Sequence, residues 1–343
     1  MTLVYASIGQ SSATIISDIM LSRNRPRTDG KPLWLVAEDN VQEHGYATVG
    51  HTQKTVMFNR RCLYLWAGNM LIARSIYKFL RAHFSKSFTE IEQLLEQEYS
   101  KDQLDRVDYA IVRFRNGQTE FFGSGGIHTD LGGVVTWEAG SGGYFVDPAH
   151  HLAEQTTGPT EDGDILNAEA TDLLIRLYHG EAGAYEYHSF RSGGWYEVTV
   201  LRDGLFHKVP YAVCYYDLDE VEKSSTYEPT MAIFARYMTD TLLVNRAWGG
   251  KASLIISCVD SFKTQTVRNI TEPDRYFLSG LNKWPLLFQH TFRQGGKSIM
   301  TLVSQDDQLS EDMQILDLSS PRFLVSDDTR DFIDEQLLIE AEA

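Results

Sequence analysis

The chain has 343 residues, 43% hydrophobic and 23% charged, an ordinary globular composition with length for one large domain or two smaller ones. Its 47 acidic and 31 basic side chains leave a net charge of −16, a field that repels phosphate backbones and disfavours nucleic-acid binding. No apolar run reaches about 18 residues, and no basic segment followed by an apolar core opens the chain, so neither a membrane-spanning helix nor a secretory signal is expected.

In chain order, Thr2 to Ile8 and Ala13 to Asp18 read as two short strands around a Gly9-Gln10-Ser11-Ser12 turn. Ser22 to Pro32 is a basic, polar loop, with a further strand expected at Leu33 to Ala37. Thr55 to Phe58 and Cys62 to Ala67 form the next strand pair. Asn69 to Phe84 carries apolar residues at Leu71, Ile72, Ile76, Phe79 and Leu80, a helical period. Thr89 to Tyr99 follows as a second helix, with Thr89 as the expected N-cap.

Strands then return. Val107 to Arg113 and Thr119 to Phe122 flank Asn116-Gly117, a strong hairpin signal. Gly132 to Glu138 is a third strand of this block. Tyr144 to Gln155 and Ala168 to Tyr178 read as two more helices. Tyr185 to Phe190, Trp195 to Leu201 and Leu205 to Val209 read as strands, the last two joined at Asp203-Gly204. Blocks segregated in this way favour an α+β layered fold over alternating βαβ units. Beyond Tyr215 the pattern changes. Asp217 to Lys223 is charged and linker-like. Pro229 to Arg246 places Met231, Phe234, Ala235, Met238 and Leu242 on one helical face. Ser253 to Val259 and Ser298 to Val303 read as strands, and Asp331 to Ala341 as an acidic helix or tail. Residues 1–214 are therefore expected to form the first domain and 215–343 an extension of unknown role.

Cys62, Cys214 and Cys258 are widely spaced and odd in number, without metal-ligand or disulfide spacing, so a reducing, cytoplasmic compartment is expected. Gly123-Ser124-Gly125-Gly126 lacks the lysine and Ser/Thr of a phosphate loop. His150 and His151 are adjacent, so a helix would point them apart. No Ser-His-Asp arrangement can be argued. No cofactor and no metal are expected.

The chemistry-bearing order begins at Thr2. Met1 precedes a small residue, the context in which an initiator methionine is trimmed, and trimming leaves a threonine with both a hydroxyl and a free α-amine. Asp18 ends the apolar run Ala13-Thr14-Ile15-Ile16-Ser17, Lys54 precedes Val56-Met57-Phe58, and Gly68 closes Leu63-Tyr64-Leu65-Trp66-Ala67. Ala139-Gly140-Ser141-Gly142-Gly143-Tyr144 and Arg191-Ser192-Gly193-Gly194 follow. Read singly, each has a bland explanation: Lys54 as a strand-edge charge, Asp18 as a turn residue, Gly68 as a tight junction, Ser141 as a helix N-cap.

Taken together, this order resembles the proteasome β-type peptidases, N-terminal-nucleophile (Ntn) hydrolases, and within them is similar to the bacterial heat-shock-locus V peptidase. The resemblance covers roughly the first 210 residues. It implies a four-layer αββα sandwich of two antiparallel sheets between helices. It also implies a threonine peptidase in a self-compartmentalising homo-oligomeric ring, acting on unfolded polypeptide or peptides, with an ATPase or regulator as a further partner. Thr2 would be the nucleophile and its own amine the base. Lys54 would lower the proton affinity of that amine, Asp18 would hold Lys54, and the Gly68 N–H would stabilise the oxyanion. Ser141 and Ser192 would complete the proton network, and Met20, Ser22 and Met70 would contact substrate. Asp39, in Val36-Ala37-Glu38-Asp39, is a second candidate partner for Lys54; Asp18 is preferred because its distance from Thr2 needs no gap.

Three features depart from the family pattern. Met20 replaces an arginine, the loop between Asp18 and Lys54 is longer than usual, and Ser189 stands where an acidic residue is usual. These keep two other functions open: a non-catalytic ring or scaffold subunit, and a small-amide amidase.

Overall fold

The computed structural model describes residues 3–23, 47–131, 133–140, 196–209, 211–217, 231–238, 241–248, 251–262, 268–269, 287–294, 297–305, 314–315 and 323–324. The chain divides into two compact units. The first comprises Met1–Lys208 with Val259–Gln265, and the second Val209–Cys258 with Thr266–Ala343.

The first unit opens with strands β1 (Val4–Ile8), β2 (Ala13–Asp18), β3 (Met20–Arg23), β4 (Ala47–His51), β5 (Thr55–Asn59) and β6 (Cys62–Gly68). Helices α1 (Met70–Arg81), α2 (Phe88–Glu98) and the one-turn α3 (Lys101–Leu104) follow. Strands β7 (Val107–Arg115), β8 (Gln118–Ser124), β9 (Ile127–Leu131), β10 (Val134–Ala139), β11 (Tyr196–Arg202) and β12 (Leu205–Val209) come next among its described residues. The class is α+β. One sheet has the order β12-β11-β2-β1-β10-β9, the other β5-β6-β7-β8, and β3 pairs with β4. β1 runs antiparallel to both β2 and β10, and every pairing in the four-stranded sheet is antiparallel.

Strand alternation explains the layering. Val4, Ala6, Ile8, Ala13 and Ile15 on one side of the six-stranded sheet pack with Leu63, Leu65, Ala67, Ala110 and Val112 of the four-stranded sheet. The opposite face of β6 and β7 presents Tyr64, Trp66, Tyr109 and Ile111 to Ala73, Ile76 and Leu80 of α1 and Ile91 and Leu95 of α2. The first unit thus stacks helices on the four-stranded sheet, and that sheet on the six-stranded one.

Local chemistry sets the element ends. The Asn69 side chain accepts from Leu71 N–H (3.0 Å) and Ile72 N–H (3.2 Å), capping α1. Leu71, expected on the packed face, is 69% exposed, because the cap places it on the solvent side of the first turn. Ser87, not Thr89, caps α2. Its side chain and that of Glu90 satisfy each other's backbone N–H in a capping box, which places Thr89 inside the helix. Asn116-Gly117 and Asp203-Gly204 turn with positive φ at both residues (55° and 81°; 54° and 71°), the conformation of a tight two-residue hairpin.

The described residues of the second unit are strands. β13 (Tyr211–Asp217), β14 (Met231–Met238), β15 (Thr241–Trp248), β16 (Lys251–Val259), β17 (Arg268–Asn269), β18 (Leu287–Gln294) and β19 (Lys297–Gln305) form one sheet in the order β17-β16-β15-β14-β13-β18-β19. β13 is parallel to β18 and antiparallel to β14. β20 (Gln314–Ile315) and β21 (Phe323–Leu324) pair separately.

Two expectations are corrected here. Residues 229–246 are not a helix where described: Met231 pairs opposite Trp248 and Met238 opposite Thr241, an antiparallel ladder. The same apolar positions fit a helical period, but pairing across strands satisfies the backbone and suits Ile233, Phe234 and Val244. The first unit also ends at Lys208 instead of residue 214, since β13 joins the second sheet. Nor does everything after residue 214 lie outside the first unit. Phe262 is buried there, its ring stacked 5.4 Å from Trp66, and Gln53 bridges to Ser261. β4 and β9 had no distinct signal in the sequence. The helices expected at 144–155 and 168–178, the strands at 33–37 and 185–190 and the terminal segment at 331–341 lie outside the described residues.

Candidate functional site

Lys54 and Asp18 meet in the interior. Lys54 Nζ donates to Asp18 Oδ1, and both side chains have no exposed surface. Two backbone bonds place the carboxylate at the start of β1. Leu3 N–H donates to Asp18 Oδ1 (2.9 Å), and Asp18 N–H donates to the Leu3 carbonyl (3.0 Å). The peptide N–H that reaches Asp18 is therefore the one joining Leu3 to Thr2. Burial holds Lys54 below the ordinary lysine range, opposed by the charge of Asp18, the hydrogen bond that Lys54 donates to it, and the charge of Glu197.

The lysine is presented by a short segment between β4 and β5, anchored on several sides. Trp66 N–H donates to the Lys54 carbonyl (3.2 Å), tying it to the strand that ends at Gly68. Thr52 N–H donates to the Ile19 carbonyl (2.8 Å), and the Thr52 hydroxyl to that of Asp260 (3.0 Å). Glu197, fully buried on β11, accepts through Oε2 from Lys54 N–H (2.8 Å), the Ser17 hydroxyl (3.2 Å) and Thr55 N–H (3.4 Å). Its Oε1 accepts from Lys208 Nζ (2.7 Å), which also donates to the Thr55 carbonyl (2.8 Å) and to Gln53 Oε1.

His51 lies at the end of β4, and among the described residues its Nε2 has no hydrogen-bond partner although it is buried. Burial first, and the positive charge of Lys54 second, push its pKa from 6.5 down to about 4. Between those values the unfolded chain binds a proton that the folded chain excludes. Stability therefore falls as pH drops from 6.5 towards 4, by about 3 kcal/mol from this group. His51→Gln is expected to flatten that part of the stability–pH curve, measured by denaturant midpoints at each pH. Parallel curves for the two proteins would refute it.

Gly68 ends β6 with φ at +96°, and a Cβ there would sit 2.6 Å from the Arg106 carbonyl oxygen. Gly68→Ala is expected to destabilise by about 1–3 kcal/mol, seen as a lower urea midpoint. A midpoint unchanged within error would show that the turn relaxes freely.

Of the residues singled out from sequence, Asp18 and Lys54 are brought into contact, and Gly68 lies two residues from the Trp66 that bonds to Lys54. Met70 is half-buried at the first turn of α1. Met20 and Ser22 fall in β3, opposite His51 and Thr48. Thr2, Ser141 and Ser192 lie outside the described residues, as does Asp39. Glu197, Lys208 and His51 carry no sequence signal that singles them out. Among the described residues, no group of three or more His, Cys, Asp or Glu side chains is arranged to hold a metal ion, and no helix is long and apolar enough to cross a membrane. No protein-family model and no curated protein matches the sequence.

Proposed function

We propose that this chain is an amide-bond hydrolase of the proteasome β type, a threonine peptidase with Thr2 as nucleophile once Met1 is removed. The observation that carries the reading is the buried Asp18–Lys54 pair, bonded to the peptide N–H next to Thr2. A cation fixed beside a terminal amine lowers the proton affinity of that amine and keeps part of it neutral near pH 7. The neutral amine then takes the proton of the Thr2 hydroxyl as it attacks a carbonyl, the Gly68 N–H steadying the oxyanion. Ser141 and Ser192 relay protons in this reading, and Met20, Ser22 and Met70 line the substrate path.

The fold proposed with it is the four-layer αββα sandwich. Its support is that Tyr5, Ile16 and Val198, on the face of the six-stranded sheet turned away from the other sheet, are buried as well. A further layer over that face would account for their burial. A closed homo-oligomeric cytoplasmic ring admitting unfolded polypeptide, with an ATPase or regulator as partner, belongs to the same proposal. Met20 and Ser189 favour a second reading, a non-catalytic ring subunit with the same fold.

Intact-mass measurement of purified protein, before and after treatment with a peptide β-lactone, separates the two. Hydrolysis predicts loss of one methionine residue, then gain of one lactone mass mapped to Thr2. Retained Met1 with no adduct would reject the hydrolase.

A further inference from the structure

Behind the Asp18–Lys54 pair lies a second buried ion pair that the proposed chemistry does not use. Glu197 and Lys208 together bond to the segment Gln53-Lys54-Thr55. The carboxylate takes two successive backbone N–H groups, at Lys54 and Thr55, while the ammonium takes the Thr55 carbonyl and the Gln53 side chain. Ser17, the neighbour of Asp18 on β2, donates its hydroxyl to the same carboxylate. Glu197 therefore touches both segments whose residues form the Asp18–Lys54 contact, strand β2 and the link between β4 and β5. Its side chain is fully buried and that of Lys208 is 10% exposed, so water screens the pair little.

We infer that Glu197, held by Lys208, is a positioning residue for Lys54, fixing its backbone and supplying a second negative charge that keeps its ammonium protonated in the interior. The inference builds on the proposed role of Lys54, but it is read out on Lys54 itself. Among the described residues, the charged and titratable groups that face Lys54 are Asp18 on β2, His51 on β4 and Glu197 on β11, with Lys208 on β12 paired to Glu197. Asp18 and Glu197 favour the ammonium, and His51 is neutral above about pH 4. Removing the negative charge of Glu197 should weaken proton binding at Lys54. Removing the positive charge of Lys208 should strengthen it. General loosening of the fold would not produce opposite signs.

The test is an NMR titration of the full chain labelled with ¹³C-lysine, the Lys54 signal being assigned by its loss in Lys54→Arg. In Glu197→Gln the titration midpoint of Lys54 is expected to fall by about one pH unit, and in Lys208→Met to rise. Should Glu197→Gln fail to fold, the rise in Lys208→Met carries the test alone. An unchanged midpoint, shifts of the same sign in both variants, or a Lys54 that is neutral at every pH from 6 upward in the wild type would overturn the inference. In parallel, adduct formation at Thr2 with the peptide β-lactone should slow about tenfold in Glu197→Gln at neutral pH, with its pH–rate alkaline limb displaced downward. Absence of any adduct in the wild type rejects the proposed hydrolase; the Lys54 midpoints still decide the role of Glu197.

Discussion

Asp18→Asn is expected to destabilise the protein by about 3–5 kcal/mol, because it takes from a buried ammonium the carboxylate it is bonded to. Lys54 and Asp18 are both wholly inside, so water cannot take over the lost interaction. Lys54 already sits below the ordinary lysine range through burial, and in the variant it escapes part of the penalty by releasing its proton. Asp18→Asn/Lys54→Met removes both charges and should recover much of the stability, since a buried ion pair is worth little more than an apolar pair of the same volume. Denaturant midpoints at constant slope measure this. Single and double variants of equal stability would refute it. The double variant is expected to fold yet form no adduct with the β-lactone, which separates the structural from the chemical role of the pair.

Thr2→Ala is expected to slow peptide hydrolysis by about 10⁴-fold or more, since loss of a nucleophile leaves only binding and oxyanion stabilisation to act. Thr2→Ser keeps a hydroxyl beside the amine and should retain measurable turnover. Both variants need intact-mass confirmation that Met1 is removed, because a blocked amine cannot act as base. Equal rates for wild type and Thr2→Ala would exclude Thr2 as nucleophile. Loss of activity in Thr2→Ala with an unchanged denaturant midpoint is the result that ties the chemistry to this residue.

Features with short-range causes were legible in the chain. Alternating and apolar runs marked β1, β2, β6 and β7, whose side chains need only a period of two to find opposite faces. The stripe through Ile76 and Leu80 marked α1, and Asn116-Gly117 marked a hairpin because both positions must take positive φ. Asp18 and Lys54 were paired from residue order and a family resemblance, although 36 positions separate them. The capping box at Ser87 was written locally too, as Ser87 and Glu90, but a competing threonine two residues later obscured it.

Tertiary structure decided the rest. Pro229 to Arg246 reads as a helical period, yet its described residues pair as strands. Only the neighbouring strands, each supplying backbone partners, choose between them. Phe262 belongs to the first core only because the chain returns there, which no local pattern announces. Glu197 lies 143 positions from Lys54, and nothing in Tyr196-Glu197-Val198 marks it as other than a solvent-facing strand residue. Its burial follows from the register of β11 on β2, which sets Glu197 opposite Ser17. A strand sequence states which residues share a face. Which face is covered, and which distant backbone N–H groups a carboxylate on it will meet, depends on contacts made only when the chain has folded.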